Sequence, residues 1–265
     1  MSTVASRLKT LLRIKVQALK AGEPSKRAPQ PARGRMSNGT ALIDALRRLS
    51  HHRLAVDHMI SLGAGSGANS VIIRDRFYPG ASLIMVEAQA DHEPALIEAC
   101  GRSGGDSRYV ICAASAEDGE VRFQNSSLTG GAVVRGDSGD TISVPARFVD
   151  SLAREYGLSG QCFLKFDTHG VELDILAGAR DTIARTSLIM MEVYNFKLNF
   201  VDHRNLTFDE MCGHLRGKGF RCVDLCDPLF RPNDHAFWQA QMFFIRADHP
   251  LFRSNSYSAP PPFAS

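Results

Sequence analysis

Short apolar runs and helically spaced apolar stripes alternate along most of the chain, and this alternation predicts an α/β fold. Leu42, Ile43, Leu46 and Leu49 recur at helical spacing. Residues 58–62 then form a short apolar run that breaks into Gly63, Gly65 and Gly67, the pattern of a strand, a tight turn and a following helix. Further strands are predicted at residues 83–87 and 109–113, with helical sequence around Pro94 to Cys100 between them. The pieces 119–123 and 141–144 read as short β-like segments around a Gly/Ser-rich middle, an insertion more than a regular βα unit. Alternation resumes with a helix at 148–156, a strand at 162–167, a helix at 171–185 and a strand at 188–193. A helix at 208–218 and strands at 220–225 and 241–245 close the pattern. Two successive strands with no helix between them require an antiparallel pair.

Ahead of this body, Val4, Leu8, Leu11, Leu12, Val16 and Leu19 sit at roughly helical spacing with Arg7, Lys9, Arg13, Lys15 and Lys20 between them. This reads as a basic amphipathic helix. Pro24, Pro29, Pro31 and Gly34 then mark a linker. Three readings of the arm stay open: docking on an anionic membrane surface, an organelle-targeting peptide, or a solvated leader. The expected division is therefore 1–35 as basic arm and linker, 36–254 as one catalytic-size domain, and 255–265 as a Pro-rich disordered tail.

Charge sharpens that division. The net charge of +3 splits into +8 on residues 1–35, where nine Lys or Arg face only Glu23, and −5 on the remainder. A slightly acidic body argues against a nucleic-acid partner bound in a basic groove. The six cysteines are scattered without CxxC spacing, and no run of about 18 apolar residues occurs. A cytoplasmic protein is expected, peripheral to a membrane if the arm docks there.

Gly63, Ala64, Gly65 and Gly67 lie between a strand and a helix, where residues without bulky side chains let a ligand approach backbone N–H groups. Gly63, Gly65 and Ala68 also satisfy the looser dinucleotide fingerprint, so the loop suits a nucleotide or S-adenosylmethionine. Glu87 ends the second strand about 20 residues on, where a carboxylate can accept hydrogen bonds from both ribose hydroxyls of an adenosine. Open α/β sheets bind ligands beyond the carboxyl ends of their strands, so Gly63, Glu87, Ser115, Asp167 and Glu192 are expected to share one crevice. Asp167 also reads as a helix cap, and Glu172 as support for a helix N-terminus. Tyr194, Asn195, Phe196 and Lys197 either shape a second pocket or form an ordinary loop. His203, His214, His235 and His249 lack metal-ligand spacing. No metal is assigned, although Asp167 with Glu192 supplies two hard oxygen ligands.

The stretch from Phe163 through Lys165, Asp167, Gly170 and Glu172 to Gly178 and Ala179 resembles the signature of FkbM-type methyltransferases. A hydrophobic strand enters Lys-x-Asp, then x-x-Gly-x-Glu, then an apolar run closing in Gly-Ala. The resemblance extends over most of residues 40–248. It takes in Ala113-Ala114-Ser115, Val149 to Leu152, Met191-Glu192-Val193, Gly219-Phe220, Arg231 to Asp234 and Trp238-Gln239. It implies a Rossmann-like class I methyltransferase fold, a mostly parallel seven-stranded sheet with an antiparallel last strand and helices on both faces.

It also implies S-adenosyl-L-methionine as methyl donor and a small-molecule or glycan hydroxyl as acceptor. Gly63, Ala64, Gly65, Gly67, Asn69, Glu87, Ala88, Ala114, Ser115 and Asp167 are the candidate cofactor residues, and His169, Asp167 and Glu192 the candidate catalytic ones. His169 stands two residues past Asp167 and is expected to be the general base, with Asp167 orienting it. Two positions depart from the family pattern: Ser61, where an acid is common, and His169 itself, where an acid or glutamine is common. A nicotinamide-dependent oxidoreductase using the same loop and a non-catalytic binding module remain the alternatives.

Overall fold

The apolar runs become the central strands of one large sheet. In the computed structural model, which describes residues 41–125, 131–134, 141–198 and 205–258, α1 (Leu42–Ser50) leads into β1 (His58–Leu62), α2 (Ala68–Phe77), β2 (Ser82–Glu87), α3 (Glu93–Arg102) and β3 (Ser107–Ile111). Then come β4 (Ala113–Ser115), β5 (Gly119–Asn125), β6 (Gly131–Val134), β7 (Ile142–Phe148) and α4 (Val149–Glu155). β8 (Cys162–Phe166), α5 (Glu172–Ala177), α6 (Arg180–Ala184), β9 (Thr186–Tyr194), α7 (Phe208–Gly217), β10 (Phe220–Phe230) and β11 (Phe237–Arg246) follow.

The seven-stranded sheet has the order β10-β11-β9-β8-β1-β2-β3. β1 pairs in parallel with β2 and β8, β2 with β3, and β8 with β9, whereas β11 runs antiparallel to both β9 and β10. This is the expected mostly parallel sheet with an antiparallel last strand.

Every residue of β8 and β9 is buried, which requires cover on both faces. Alternation along the strands supplies it. Ile60, Leu62, Ile84, Val86, Leu164 and Phe166 pack with Val149 and Leu152 of α4, Ile175 of α5 and Leu215 of α7. Met59, Leu83, Met85 and Phe163 pack on the other face with Leu46 of α1, Ile73 of α2 and Leu96 of α3. Burying each such side chain contributes about 1.5–3 kcal/mol.

Two expectations are corrected and a third is filled in. The third strand does not run to Ala113: Cys112 N–H still donates to Glu87 O at 2.9 Å, after which β4 leaves the large sheet and pairs with β7. The β-like insertion becomes a second, four-stranded sheet of order β4-β7-β5-β6. The helix expected at 171–185 is broken into α5 and α6, because Gly178 lies against β4: a Cβ there would sit 2.5 Å from Ser115 O. α6 is restarted by Asp150, whose carboxylate accepts from Asp181 N at 2.9 Å and Thr182 N at 2.8 Å.

The last hairpin is also longer than its apolar core suggested, with register shifts around Asp224 and Leu229. Its turn is built by the Arg231 to Asp234 motif, Arg231 pairing with Asp234 and Asp234 accepting from Ala236 N at 3.1 Å. Among the described residues no helix is long and apolar enough to cross a membrane. The amphipathic arm, His203 and the prolines of the tail lie outside the described residues.

Candidate functional site

The sheet reverses its order beside β1. From there the chain moves outward to β2 and β3 and then returns to start β8 on the other flank, which opens a crevice at the carboxyl ends of β1 and β8. Gly63, at φ 73°, turns the chain as it leaves β1; a Cβ on it would lie 2.3 Å from Asp167 O. Only glycine lets the exits of these two strands touch. Gly63 and Ala64 both donate to Val86 O at 3.0 Å. Gly65, at φ 55°, has nothing within 4 Å of where a Cβ would be, and its N–H donates to Glu87 Oε2 at 2.7 Å. Gly67 begins α2 at φ 73°, against Met85 and Leu96.

Glu87 is buried, and its other oxygen accepts from Gln89 N at 2.9 Å. Ala88 packs against the small apolar cluster of Ala113, Phe123 and Val144 in the second sheet. Asn69 Oδ1, in the first turn of α2, and Gln89 Oε1 are both buried with no hydrogen-bond partner among the described residues. Unpartnered buried acceptors cost about 1–3 kcal/mol each, and a polar ligand in the crevice would offset that. Ser61 faces the other way: it is fully buried and hydrogen-bonds Ser70 of α2 at 2.8 Å.

On the β8 side, Asp167 N donates to Leu62 O at 2.9 Å, and buried Lys165 donates to Asp167 Oδ2 at 3.0 Å. The turn that follows is closed by Glu172, which accepts from Thr168 Oγ1 at 3.0 Å and Gly170 N at 3.1 Å. Burial pushes the Glu172 carboxyl above its ordinary range despite those donors. Glu172 is thus a structural part of the turn. That turn presents His169, whose Nε2 lies 4.0 Å from Glu192 Oε1.

Glu192 is itself buried near the end of β9. It accepts from Tyr194 Oη at 2.5 Å and from Gln241 Nε2 at 2.9 Å. Burial, and after it the Glu192 charge and hydrogen bond, raise the Tyr194 phenol well above its ordinary value. An aromatic wall runs outward from His169: its ring lies 6.4 Å from Tyr194, which meets Trp238 edge-on at 6.0 Å, and Trp238 stacks on Phe196 at 5.4 Å. The Arg231 guanidinium caps Phe196 at 4.2 Å. Asp167 and Glu192 therefore hold different partners, a lysine for one and a tyrosine and glutamine for the other.

The structure brings half of the expected residues together in two runs, Glu87 with Gly65 and Gly63 to Asp167, and His169 with Glu192. Ala114 and Ser115 are placed differently. Both belong to β4, where with Val121, Val133, Val171 and Asp174 they line a cavity of about 230 Å³ beside the start of α5. None of the glycine-loop residues lines it.

Gln241, Gln89 and the role of Tyr194 were missed from sequence. The available signal was polarity out of place: Gln241 interrupts the apolar run of β11, and it stands opposite Glu192 in the β9–β11 register. An imidazole beside a buried carboxylate, facing an aromatic wall, can take a proton from a bound acceptor.

Comparison with known proteins adds three findings. A family model described as the methyltransferase FkbM domain matches residues 41–222. The search of curated proteins found no match.

Solved structures resemble the chain at low identity. A Burkholderia thailandensis 1,6-didemethyltoxoflavin-N1-methyltransferase is 17% identical over 94% of this chain and 92% of that one, with a TM-score of 0.44. A Geobacter metallireducens precorrin-6y C5,15-methyltransferase is 10% identical over 82% and 93%, with a TM-score of 0.42. Aeropyrum pernix fibrillarin is 13% identical over 76% of each chain, also with a TM-score of 0.42.

Proposed function

Because the chain belongs to the FkbM methyltransferase family and is an S-adenosylmethionine-dependent methyltransferase, we propose that the atom it methylates is an oxygen, a hydroxyl of a sugar or other natural-product small molecule. The reading is carried by the His169–Glu192 pair. A hydroxyl is a poor nucleophile until its proton is removed as the new bond forms, whereas a neutral amine already presents a lone pair. An imidazole with a carboxylate behind it answers the need of a hydroxyl.

The cofactor, when bound, supplies an electrophilic methyl group on a sulfonium. Gly63, Ala64, Gly65 and Gly67 would hold it by backbone approach, Glu87 by its carboxylate, and Asn69 and Asp167 from the two flanks. The buried, unpartnered Asn69 Oδ1 fits a polar ligand there. Ala88 would close the crevice on the β2 side, whereas Ala114 and Ser115 line the separate cavity beside α5. His169 accepts the acceptor's proton. Glu192 stabilises the resulting imidazolium, since opposite charges about 4 Å apart attract by roughly 1–4 kcal/mol at effective dielectrics between water and a protein surface. Tyr194, Trp238 and Phe196 offer an apolar face on which an acceptor ring can lie.

The test is release of S-adenosylhomocysteine from matched acceptor pairs that differ only in hydroxyl against amine, such as a sugar and its amino sugar, or a phenol and its aniline. Turnover of the hydroxyl members, reduced roughly 10²-fold or more in His169→Ala, is expected. Turnover confined to amines, or a His169→Ala variant with undiminished rate on hydroxyls, would refute the proposal.

A further inference from the structure

Glu192 is a buried carboxylate that two side chains hold in place. Tyr194 Oη on its own strand and Gln241 Nε2 on β11 both donate to it, one to each oxygen, and His169 lies at ion-pair distance from the turn after β8. The Gln241 amide holds this orientation at a cost: its Oε1 is buried with no partner among the described residues. Turned over, the amide would set its oxygen against the carboxylate. A donor on each oxygen fixes the plane in which the carboxylate lies. Among the described residues, the charges of Asp167 and Glu172 also act on Tyr194, and Lys165 is paired with Asp167.

We infer that Tyr194 and Gln241 are positioning residues, which hold the Glu192 carboxylate turned toward His169 so that the imidazole can accept a proton. The inference rests on the reading of His169 as general base, and it deepens that reading by naming what holds the carboxylate beside the base. Tyr194 and Gln241 need not touch either substrate. They act through the carboxylate: losing either donor frees it to turn away from His169, and the imidazolium then loses the charge beside it.

The experiment follows the His169 imidazole by NMR titration of the full chain, its resonance assigned by its absence in His169→Ala. Wild type, Tyr194→Phe, Gln241→Met, the double variant and Glu192→Gln are compared. Both single substitutions conserve side-chain volume, and a thermal midpoint with S-adenosylhomocysteine reports whether each variant is folded and binds. The double variant is expected to lower the His169 midpoint by about half a pH unit or more, with the single variants between it and wild type. Glu192→Gln should lower it most. If Glu192→Gln lowers the midpoint while folded Tyr194→Phe and Gln241→Met leave it at the wild-type value, the positioning role is overturned. Should the double variant fail to fold, the two single variants decide. Failure of the base assignment shows elsewhere, as His169→Ala turning over a hydroxyl acceptor at full rate.

Discussion

Gly63 and Gly65 stand two residues apart at similar positive φ, yet the structure assigns them different duties, and alanine at each should separate those duties. At either position alanine must adopt a left-handed backbone, which costs roughly 1–2 kcal/mol. At Gly65 that is the whole structural penalty, because nothing lies within 4 Å of the new methyl. At Gly63 the methyl would be 2.3 Å from Asp167 O and 2.9 Å from Asp167 C. An ordinary carbon–oxygen contact needs about 1 Å more, and both atoms belong to backbone held by the Asp167 N to Leu62 O hydrogen bond. The exits of β1 and β8 must spread, adding an overpacking cost of roughly 1–3 kcal/mol.

Gly63→Ala should therefore lose about 2–5 kcal/mol, or roughly 4–20 °C in thermal midpoint for a domain of this size, against about 2–8 °C for Gly65→Ala. Calorimetric titration with S-adenosylhomocysteine completes the comparison: Gly65→Val should lose binding while remaining folded, because its side chain fills the open side of the loop. Equal stability of Gly63→Ala and Gly65→Ala would refute the argument from the strand exits. Undiminished binding by Gly65→Val would remove the loop from the site.

Glu172→Gln should gain stability on wild type as pH rises. A carboxyl whose folded value is raised by burial contributes stability that is complete below its ordinary value of 4.5 and is lost as pH climbs through the raised value. Denaturant midpoints that stay parallel for the two proteins from pH 4 to pH 8 would contradict this. Trp238 is the chain's single tryptophan and stands in the aromatic wall, so saturating a hydroxyl acceptor should change its emission more than S-adenosylhomocysteine alone does; an unchanged spectrum would take the wall out of the acceptor site. Removing residues 1–35 should leave S-adenosylhomocysteine affinity unchanged and lower only binding to anionic vesicles, and a truncated protein that no longer binds cofactor would make the arm part of the catalytic body.

How much was legible depended on whether a feature is local in the chain. The loop 63–67, Glu87 and the Lys165-x-Asp167 turn are each set within a few residues, by glycine conformation and by the point where an apolar run ends, and the sequence pattern located all of them. The break between α5 and α6 was hidden because its cause is 63 residues upstream, in the approach of Ser115 O to Gly178. β4 was mistaken for the continuation of β3 because one apolar run supplies both, and periodicity cannot say which sheet a strand joins. The role of Gln241 was not legible for a similar reason: its partner is fixed by antiparallel register with β9, a relation between residues 49 apart.

That distinction bears on how the crevice divides its work. The cofactor half, as proposed, is made of backbone: N–H groups of a glycine loop and a carboxylate pinned by two main-chain N–H groups, Gly65 N of that loop and Gln89 N beyond β2. Backbone geometry tolerates few substitutions but is indifferent to what lies across the crevice. The half beyond Asp167 is made of side chains on β9, β11 and the turn between β8 and α5. There Tyr194, Trp238, Phe196 and Gln241 can change without disturbing a single main-chain hydrogen bond of the loop. Acceptor preference should accordingly follow β11 and the 194–197 segment, and exchanging those segments between family members should transfer acceptor choice while S-adenosylhomocysteine affinity stays constant. A chimera that changed cofactor affinity and kept its acceptor would show that the two halves are not separable in this way.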